Sequence, residues 1–135
     1  MTPEDSLHEV VFSVGSNCGD RPSNVANGIK WLQTFISELK TSSIYATPDY
    51  HGSGREYYNA VVCGKTSLNP EEIDELCKIH EKECGRTEEA RAAGDVPLDI
   101  DTVIYNHQIL RPKDYSRNFF RIGHDQVMAH TMIKD

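Results

Sequence analysis

The chain has 135 residues, an ordinary length for one domain, and a mean hydropathy of −0.54, which is typical of a globular protein. Its 21 acidic residues outnumber its 14 lysines and arginines, and the net charge of −7 argues against non-specific binding to nucleic acid. No apolar run approaches the roughly 20 residues that span a bilayer, and the N-terminal stretch MTPEDSLHEV lacks the basic-then-apolar order of a signal peptide. We therefore expect residues 1–135 to form one cytoplasmic domain with neither a nucleic-acid nor a membrane partner.

The cysteines favour reduced thiols. Cys18, Cys63, Cys77 and Cys84 include no CxxC pair, and no secretory signal precedes them. Cys77, His80 and Cys84 fall on one face at helical spacing, which leaves a zinc site as an alternative, although such a site needs more ligands at closer spacing. A packed helix face is the favoured interpretation.

The first part of the chain predicts a strand and then a long helix. Residues 10–14 are apolar and typical of a buried strand, which residues 15–17 stop. Pro22 and Ser23 mark the start of the helix, with proline in the first turn and serine as a cap. The apolar stripe of this helix recurs at spacings of three and four residues: Val25, Ile29, Leu32, Ile36 and Leu39.

Two strands are predicted in the middle of the chain. Residues 42–46 form the first of them, which is broken at residues 47–48. Residues 49–56 carry two glycines and predict a loop. Residues 57–63 are rich in aromatic and β-branched side chains and predict the next strand.

A second helix begins at residues 69–72, where Asn69 caps, proline fits the first helical position and a glutamate completes a capping box. Gly85 ends this helix, and residues 86–97 predict a loop. The remaining elements are a strand at 98–105, a turn at 106–107, a short strand at 119–120 and a helix at 125–133. The order βαββαβ predicts an α+β, ferredoxin-like fold, with an antiparallel sheet and the helices packed on one face.

The fourth predicted strand carries a pair of carboxylates. Because side chains alternate along a strand, Asp99 and Asp101 point the same way, roughly 7 Å apart at their Cα atoms, where they repel each other unless a cation lies between them. Paired hard oxygen ligands suit Mg²⁺ together with substrate phosphates, and a solvated strand face is the alternative. The same alternation adds Val103 and Tyr105 to the face of the aspartates and places three residues in the core: Leu98, Ile100 and Ile104.

Three further features could bind a ligand. Residues 15–17 (GSN) follow the first strand, where glycine lets backbone approach a ligand, although on their own they favour an ordinary strand-to-helix turn. Tyr57 and Asn59 share a strand face, where they could stack on a flat heterocycle and hydrogen-bond its edge, or simply pack under a loop. The third feature is a supply of cations that could bind phosphate or remain solvated: Arg86, Arg91, Arg111, Lys113, Arg117 and Arg121.

Taken in order, these strings resemble the 6-hydroxymethyl-7,8-dihydropterin pyrophosphokinases of folate biosynthesis. The resemblance runs from about Val10 to Asp101 and more weakly to Phe119. It rests on six segments in register: 14–17 (VGSN), 43–48 (SIYATP), 57–62 (YYNAVV), 66–72 (TSLNPEE), Glu81 with 85–86 (GR), and 98–101 (LDID). The implied fold is ferredoxin-like, and the implied reaction transfers the terminal diphosphate of ATP to the pterin hydroxymethyl group and releases AMP.

The resemblance also implies roles for individual residues. The pterin would lie between the rings of Tyr57 and Phe119, with its edge contacted by Asn59, by Asp99 and by backbone around Thr47 and Pro48. Asp99 and Asp101 would hold two Mg²⁺ ions against the triphosphate, with Arg86 as a further catalytic residue. The implied nucleotide contacts are Glu81, Arg86, Lys113 and Arg117, with Arg121 as the alternative to Arg117.

The chain departs from the family pattern on the nucleotide side. Four positions of the loop before the aspartates differ: Glu88, Ala92 and Val96 replace arginine, and Ala93 replaces tryptophan. Beyond Asp101 the chain is shorter than the family's usual form, and Lys113, in the string RPKD, stands where the family has histidine. Removing charge-assisted phosphate contacts, each worth about 1.5–3 kcal/mol, would weaken ATP binding or catalysis.

Three functions follow from these observations. The first is a Mg²⁺-dependent pyrophosphokinase that uses ATP and a hydroxymethyl-pterin, as a monomer or homodimer. The second is a divergent, shortened paralogue that binds pterin or regulates but has weakened catalysis. The third is a ferredoxin-like interaction module that binds no small ligand.

Overall fold

The computed structural model describes residues 7–48 and 54–134, with side chains up to residue 129. The predicted loop at residues 49–56 therefore lies mostly outside the described part. The elements in chain order are β1 (His8–Ser16), α1 (Arg21–Leu32), β2 (Ser37–Thr41), β3 (Tyr45–Pro48), β4 (Glu56–Thr66), α2 (Pro70–Glu83), α3 (Glu88–Ala92), β5 (Asp99–Tyr105), β6 (Gln108–Ile109), α4 (Pro112–Tyr115) and α5 (Asn118–Lys134). No helix of these described ranges is both long and apolar enough to cross a bilayer.

The strands form one sheet in the order β2-β4-β1-β5-β6, with β3 also paired to β4, and every pairing is antiparallel. Helices α1 and α2 pack on one face over a core that includes Phe12 and Val14 of β1. The α+β, ferredoxin-like prediction, with its two helices on one face, is confirmed. Helix α5 adds a layer on the opposite face, where Phe120 and Val127 pack against Val11 of β1. The assignment of residues 1–135 to one domain stays a prediction.

The predicted long first helix is wrong in its C-terminal part. Helix α1 ends at Leu32, and Ile36 is buried beyond it because the chain turns and enters the sheet as β2. The strand predicted at residues 42–46 is likewise displaced, since Ser42 lies between β2 and β3. Pro48 ends β3, where a residue without an N–H is tolerated because β3 pairs only with β4.

A bulge in β5 changes the predicted side-chain faces. Phe12 of β1 is opposite Thr102 and Val11 is opposite Ile104, so Val103 is the extra residue. Beyond the bulge the faces exchange: Ile104 packs with the α5 layer and Tyr105 with the α1–α2 layer. The predicted core position of Ile104 and the cleft-side position of Tyr105 are therefore wrong, while Asp99 and Asp101, which precede the bulge, keep a common face.

The ends of the helices show which sequence signals predicted an element correctly. The capping box of α2 is present, since Asn69 accepts from the Glu72 amide at 2.8 Å and Glu72 accepts from the Asn69 amide at 3.0 Å. The loop predicted at residues 86–97 instead contains α3, whose start is capped by Thr87. The short strand predicted at residues 119–120 is wrong, because this pair lies in the first turn of α5.

Gly64 of β4 lies against the chain between α1 and β2, and we expect Gly64→Ala to destabilise the fold. An added Cβ would lie 2.5 Å from Ile36 Cγ2 and 2.8 Å from the Ser37 carbonyl oxygen. Overpacking of this kind costs about 1–3 kcal/mol, which urea unfolding would register as a lower midpoint. The exposed Ser67→Ala is the control and should leave the midpoint unchanged; a Gly64→Ala midpoint equal to that of wild type would contradict the prediction.

Candidate active site

A cleft of about 250 Å³ opens on the sheet face that α5 partly covers. Helix α5 packs on the apolar half of this face, which includes Val61 and Val103. On the other half β1 contributes only Ser13 and Gly15, so space remains above the strand. The alternation of small and polar side chains on this face thus creates the cleft where the helix layer stops.

Gly15 allows the side chains of Asn59 and Tyr57 to pack close to β1. A Cβ on this residue would lie 3.0 Å from Asn59 Oδ1 and 3.6 Å from Tyr57 Cδ2. The strand continues through Ser16, so Gly15 lies in β1 rather than in the turn that the sequence predicts. Its effect is close packing of neighbouring side chains, and a larger residue would push Asn59 out of place.

Asp99 and Asp101 both line the cleft, as their spacing predicts. Burial, followed by the charge of Asp99 and a side-chain hydrogen bond with Asp99, raises the pKa of Asp101 to about 8. Arg111 opposes this rise from 3.8 Å, the distance between its Nη1 and Asp101 Oδ1. The pair therefore retains a proton at neutral pH unless additional positive charge enters the cleft.

Glu81 and Arg86 lie behind the aspartates. Arg86 Nη1 donates to Glu81 Oε1 at 2.9 Å and to Asp99 Oδ1 at 2.8 Å. The other oxygen of Glu81 accepts from the Ile100 amide at 2.8 Å, so both oxygens of this buried carboxylate are engaged. Burial raises the pKa of Glu81, while the Ile100 amide and Arg86 lower it. Because neither residue is among the described residues that line the cleft, their geometry favours orienting Asp99 over direct contact with a nucleotide.

The segment after β6 contributes cations to the cleft. Arg111, Lys113 and Arg117 all line the cleft together with Asp114. Arg111 Nε donates to Asp114 Oδ2 at 2.6 Å, which holds the guanidinium beside Asp101. Sequence reasoning counted Arg111 among the available cations but assigned it no place in the site, and it did not select Asp114. The string RPKD could have predicted this pair, because an aspartate follows the arginine by three residues.

The remaining predicted site residues converge on the same cleft. Tyr57 and Phe119 line it, as do Thr47 and Pro48. Asn59 Nδ2 donates to Thr47 Oγ1 at 2.6 Å, and both side chains are buried. This bond fixes the amide orientation and leaves Asn59 Oδ1 as an acceptor for a ligand N–H.

The 87–97 segment contributes none of the described lining residues of the cleft. Asn17 holds it from one side, donating to the Gly94 carbonyl at 2.9 Å and accepting from the Val96 amide at 2.6 Å. Arg55 forms an ion pair with Asp95 on the other side. The departures from the family pattern at Glu88, Ala92, Ala93 and Val96 thus fall on a segment that is tied down at its C-terminal end.

The donor set of the cleft fits a hard divalent cation. Among residues 7–48 and 54–129, no group of three or more His, Cys, Asp or Glu side chains forms a metal site. The aspartate pair offers oxygens only, which suits Mg²⁺ because this ion binds through one or two carboxylates together with phosphates and water. Burial and the charge of Asp99 raise the pKa of Asp101, and a bound cation would favour the ionised pair. The zinc alternative is wrong for the described residues, since Cys77 is buried in the core and the His80 ring stacks on Trp31 at 4.1 Å.

Paired carboxylates that face a cluster of cations across a cleft, on a ferredoxin-like sheet, define a class of enzyme that transfers phosphoryl-type groups by positioning and charge neutralisation. Residues 11–129 match the 7,8-dihydro-6-hydroxymethylpterin-pyrophosphokinase family. The chain belongs to this family of diphosphotransferases, which confirms the resemblance found in the sequence.

Individual relatives agree with this membership. A Porphyromonas gingivalis protein named 2-amino-4-hydroxy-6-hydroxymethyldihydropteridine pyrophosphokinase is 30% identical over 126 residues, which are 84% of this chain and 86% of that protein. A Bacillus subtilis protein of the same name is 34% identical over 119 residues, covering 80% and 71%. An Arabidopsis thaliana protein named folate synthesis bifunctional protein is 34% identical over 111 residues, covering 80% of this chain but 23% of its own length. The chain therefore spans about a quarter of that plant relative. The cytoplasmic location and the monomeric or dimeric state stay predictions.

Proposed function

We propose that this chain transfers diphosphate from ATP to the hydroxymethyl group of 6-hydroxymethyl-7,8-dihydropterin in folate biosynthesis and releases AMP. The observation that carries the proposal is that Asp99 and Asp101 line one cleft together with two unlike groups of side chains. The first group is the aromatic rings of Tyr57 and Phe119, and the second is the cations after β6, which include Arg111. An aromatic acceptor and a polyphosphate donor would thus meet at the aspartates.

The aromatic group supports recognition of a flat heterocycle. Rings from β4 and α5 can cover the two faces of a pterin, and Asn59 Oδ1 can accept from its N–H edge. Thr47 fixes Asn59, so the amide needs no reorientation when the ligand binds. The hydroxymethyl group would then point toward the aspartates.

The cationic group supports binding of a polyphosphate. Arg111, Lys113 and Arg117 can bind its oxygens, and Arg111 is already oriented by Asp114. In the proposed step the hydroxymethyl oxygen forms a bond to the β-phosphorus of ATP and loses its proton to solvent. The bond from that phosphorus to the oxygen bridging to the α-phosphorus breaks, and AMP leaves with the electron pair.

Asp99 and Asp101 would hold Mg²⁺, for which the family resemblance implies two ions, and the bound metal would neutralise phosphate charge and align the reacting phosphorus. Arg86 keeps Asp99 oriented and partly neutralised from behind. Burial disfavours the ionised form of Asp101, and positive charge in the cleft would favour it. The metal and the aspartates would therefore stabilise each other's charges.

A second candidate, the catalytically weakened pterin-binding paralogue, is favoured by one observation. The described cleft lining takes no cation from the 87–97 segment, where the resemblance implies arginines. The cations after β6 could compensate in part. The two candidates differ in turnover rather than in pterin binding.

The deciding experiment combines an assay with calorimetry. We expect AMP to form from ATP only when 6-hydroxymethyl-7,8-dihydropterin and Mg²⁺ are both present, and we expect heat of binding with 6-hydroxymethylpterin alone. Pterin binding without AMP above the no-enzyme background would select the weakened paralogue. A flat titration with and without the Mg²⁺ complex of a non-hydrolysable ATP analogue, again without AMP, would leave only an interaction module.

A further inference from the structure

The hydroxyl of Tyr45 joins strand β3 to the first turns of helix α5. It donates to the Phe119 carbonyl oxygen at 2.5 Å and accepts from the Gly123 amide at 3.0 Å. These two groups are four residues apart, so they are the acceptor and donor that one helical i→i−4 bond would join. A side chain that contacts both groups at this point sets the local course of the helix backbone. Burial raises the pKa of Tyr45 to about 12, so the hydroxyl keeps the proton that it donates.

Gly123 brings the helix close to the sheet at the same point. A Cβ here would lie 2.7 Å from the Tyr45 hydroxyl oxygen, 2.7 Å from Val61 Cγ2 and 2.9 Å from Ser42 Oγ. Only glycine leaves room for this approach. Because Phe119 lies one turn before Gly123, the contact determines where the Phe119 ring stands over the cleft.

Strand β3 also orients Asn59, the residue that would contact the edge of the pterin. Tyr45 and Thr47 are two residues apart on one strand and share a face, and Thr47 holds Asn59 at 2.6 Å. The short strand β3 therefore positions the Asn59 amide through Thr47 and the Phe119 ring through Tyr45. The position of Phe119 relative to Tyr57 and Asn59 is thus set before a ligand binds.

We propose that Tyr45 is a positioning residue for the pterin subsite, which acts through the Phe119 backbone to hold the ring opposite Tyr57. The assignment rests on the proposed function, since it names how that function's acceptor is bound. It concerns the acceptor side of the cleft alone. Loss of the hydroxyl should therefore affect pterin and spare the nucleotide.

Tyr45→Phe tests the proposal because it keeps the ring and removes both hydrogen bonds. We expect the dissociation constant for 6-hydroxymethylpterin, measured by calorimetry, to rise about tenfold, because the Phe119 ring would then have to be ordered when the pterin binds. The KM for the dihydropterin should rise by a similar factor, while the KM for ATP should stay within about twofold of wild type. Amide exchange at Gly123, measured without ligand, should accelerate.

Gln126→Ala is the matched control. Gln126 Oε1 accepts from the Ser43 amide at 2.9 Å and from Ser43 Oγ at 3.0 Å, so it ties the same helix to the segment just before β3 without contacting Phe119. Both variants should lower the melting temperature, but only Tyr45→Phe should weaken pterin binding. Equal weakening in both variants, or an unchanged pterin affinity in Tyr45→Phe, would overturn the proposal. A wild-type protein that binds no pterin would instead overturn the proposed function, and this role of Tyr45 with it.

Discussion

Replacing either Asp99 or Asp101 with asparagine is expected to lower the rate of AMP formation by about a thousandfold, the scale on which removal of a group that stabilises transition-state charge acts. Both carboxylates line the cleft that also holds the aromatic rings and the cations. Asparagine preserves the size of each side chain but removes the charge that would hold Mg²⁺. The AMP assay with ATP and 6-hydroxymethyl-7,8-dihydropterin measures the effect.

Asp101→Asn should at the same time stabilise the protein without ligands. The pKa of Asp101 is about 8 in the folded state, against about 3.9 in an unfolded chain. The folded state therefore binds more protons between these values, and its free energy of unfolding falls as pH rises through this window. Asparagine does not ionise, so we expect the variant to exceed wild type by about 1–3 kcal/mol at pH 8, with little gain near pH 4.

Asp74→Asn is the control for both measurements. Asp74 is exposed on α2 in an ion pair with Lys78, and its replacement should change neither activity nor the pH dependence of stability. An Asp101→Asn variant that retains wild-type turnover would refute the role of the pair. A stability difference that does not grow between pH 4 and pH 8 would refute the cause assigned to the raised pKa.

Arg86→Met is the second change with a large expected effect. It removes the partner that Glu81 and Asp99 share and leaves Glu81, 6% exposed, with only the Ile100 amide. Breaking a buried ion pair by removing one partner costs about 3–5 kcal/mol, because a buried charge stays uncompensated. We expect urea unfolding to register a loss of about 3 kcal/mol at neutral pH, and the AMP assay a lower rate because Asp99 loses its orientation.

The double variant Glu81→Gln, Arg86→Met separates this cause from lost packing. A neutral glutamine can still accept from the Ile100 amide, so the double variant should be more stable than Arg86→Met alone by about 1–2 kcal/mol. Lower pH should also reduce the cost of Arg86→Met, since burial raises the pKa of Glu81 and protonation removes the buried charge. The exposed Arg91→Met serves as the control. A double variant no more stable than the single one would indicate that lost packing, rather than the unpaired charge, sets the cost.

Local sequence signals predicted features that depend on a single helix or strand. The Asn69 capping box fixed the start of α2, and alternation placed Asp99 and Asp101 on one face of a strand. The apolar spacing wrongly predicted a helix at Ile36, which continues a helical stripe in the sequence but lies between α1 and β2 in the structure, where it is buried. Because an apolar residue can be buried from either kind of element, its apolar character does not show which element forms.

The candidate site shows the same limit. Tyr57, Asn59 and the aspartates were selected because each shares a strand face with a suitable neighbour. The place of Arg111 beside Asp101 was not predictable, because the two residues are brought together by the path of the chain through β6 and α4. The predicted nucleotide contact of Glu81 stays a prediction, and the contacts of its oxygens with Arg86 and with a backbone amide of β5 were not predictable from the sequence.

The sequence by itself determined the α+β class of the fold, the paired carboxylates and the family, because these depend on spacing along the chain. Only the tertiary structure decided that α5 covers the second face of the sheet, that a bulge at Val103 exchanges the side-chain faces beyond it, and that the Tyr45 hydroxyl contacts the Phe119 carbonyl oxygen. The reason is that strand register and helix docking depend on contacts between residues far apart in the chain. The spacing of residues along the sequence does not predict such contacts.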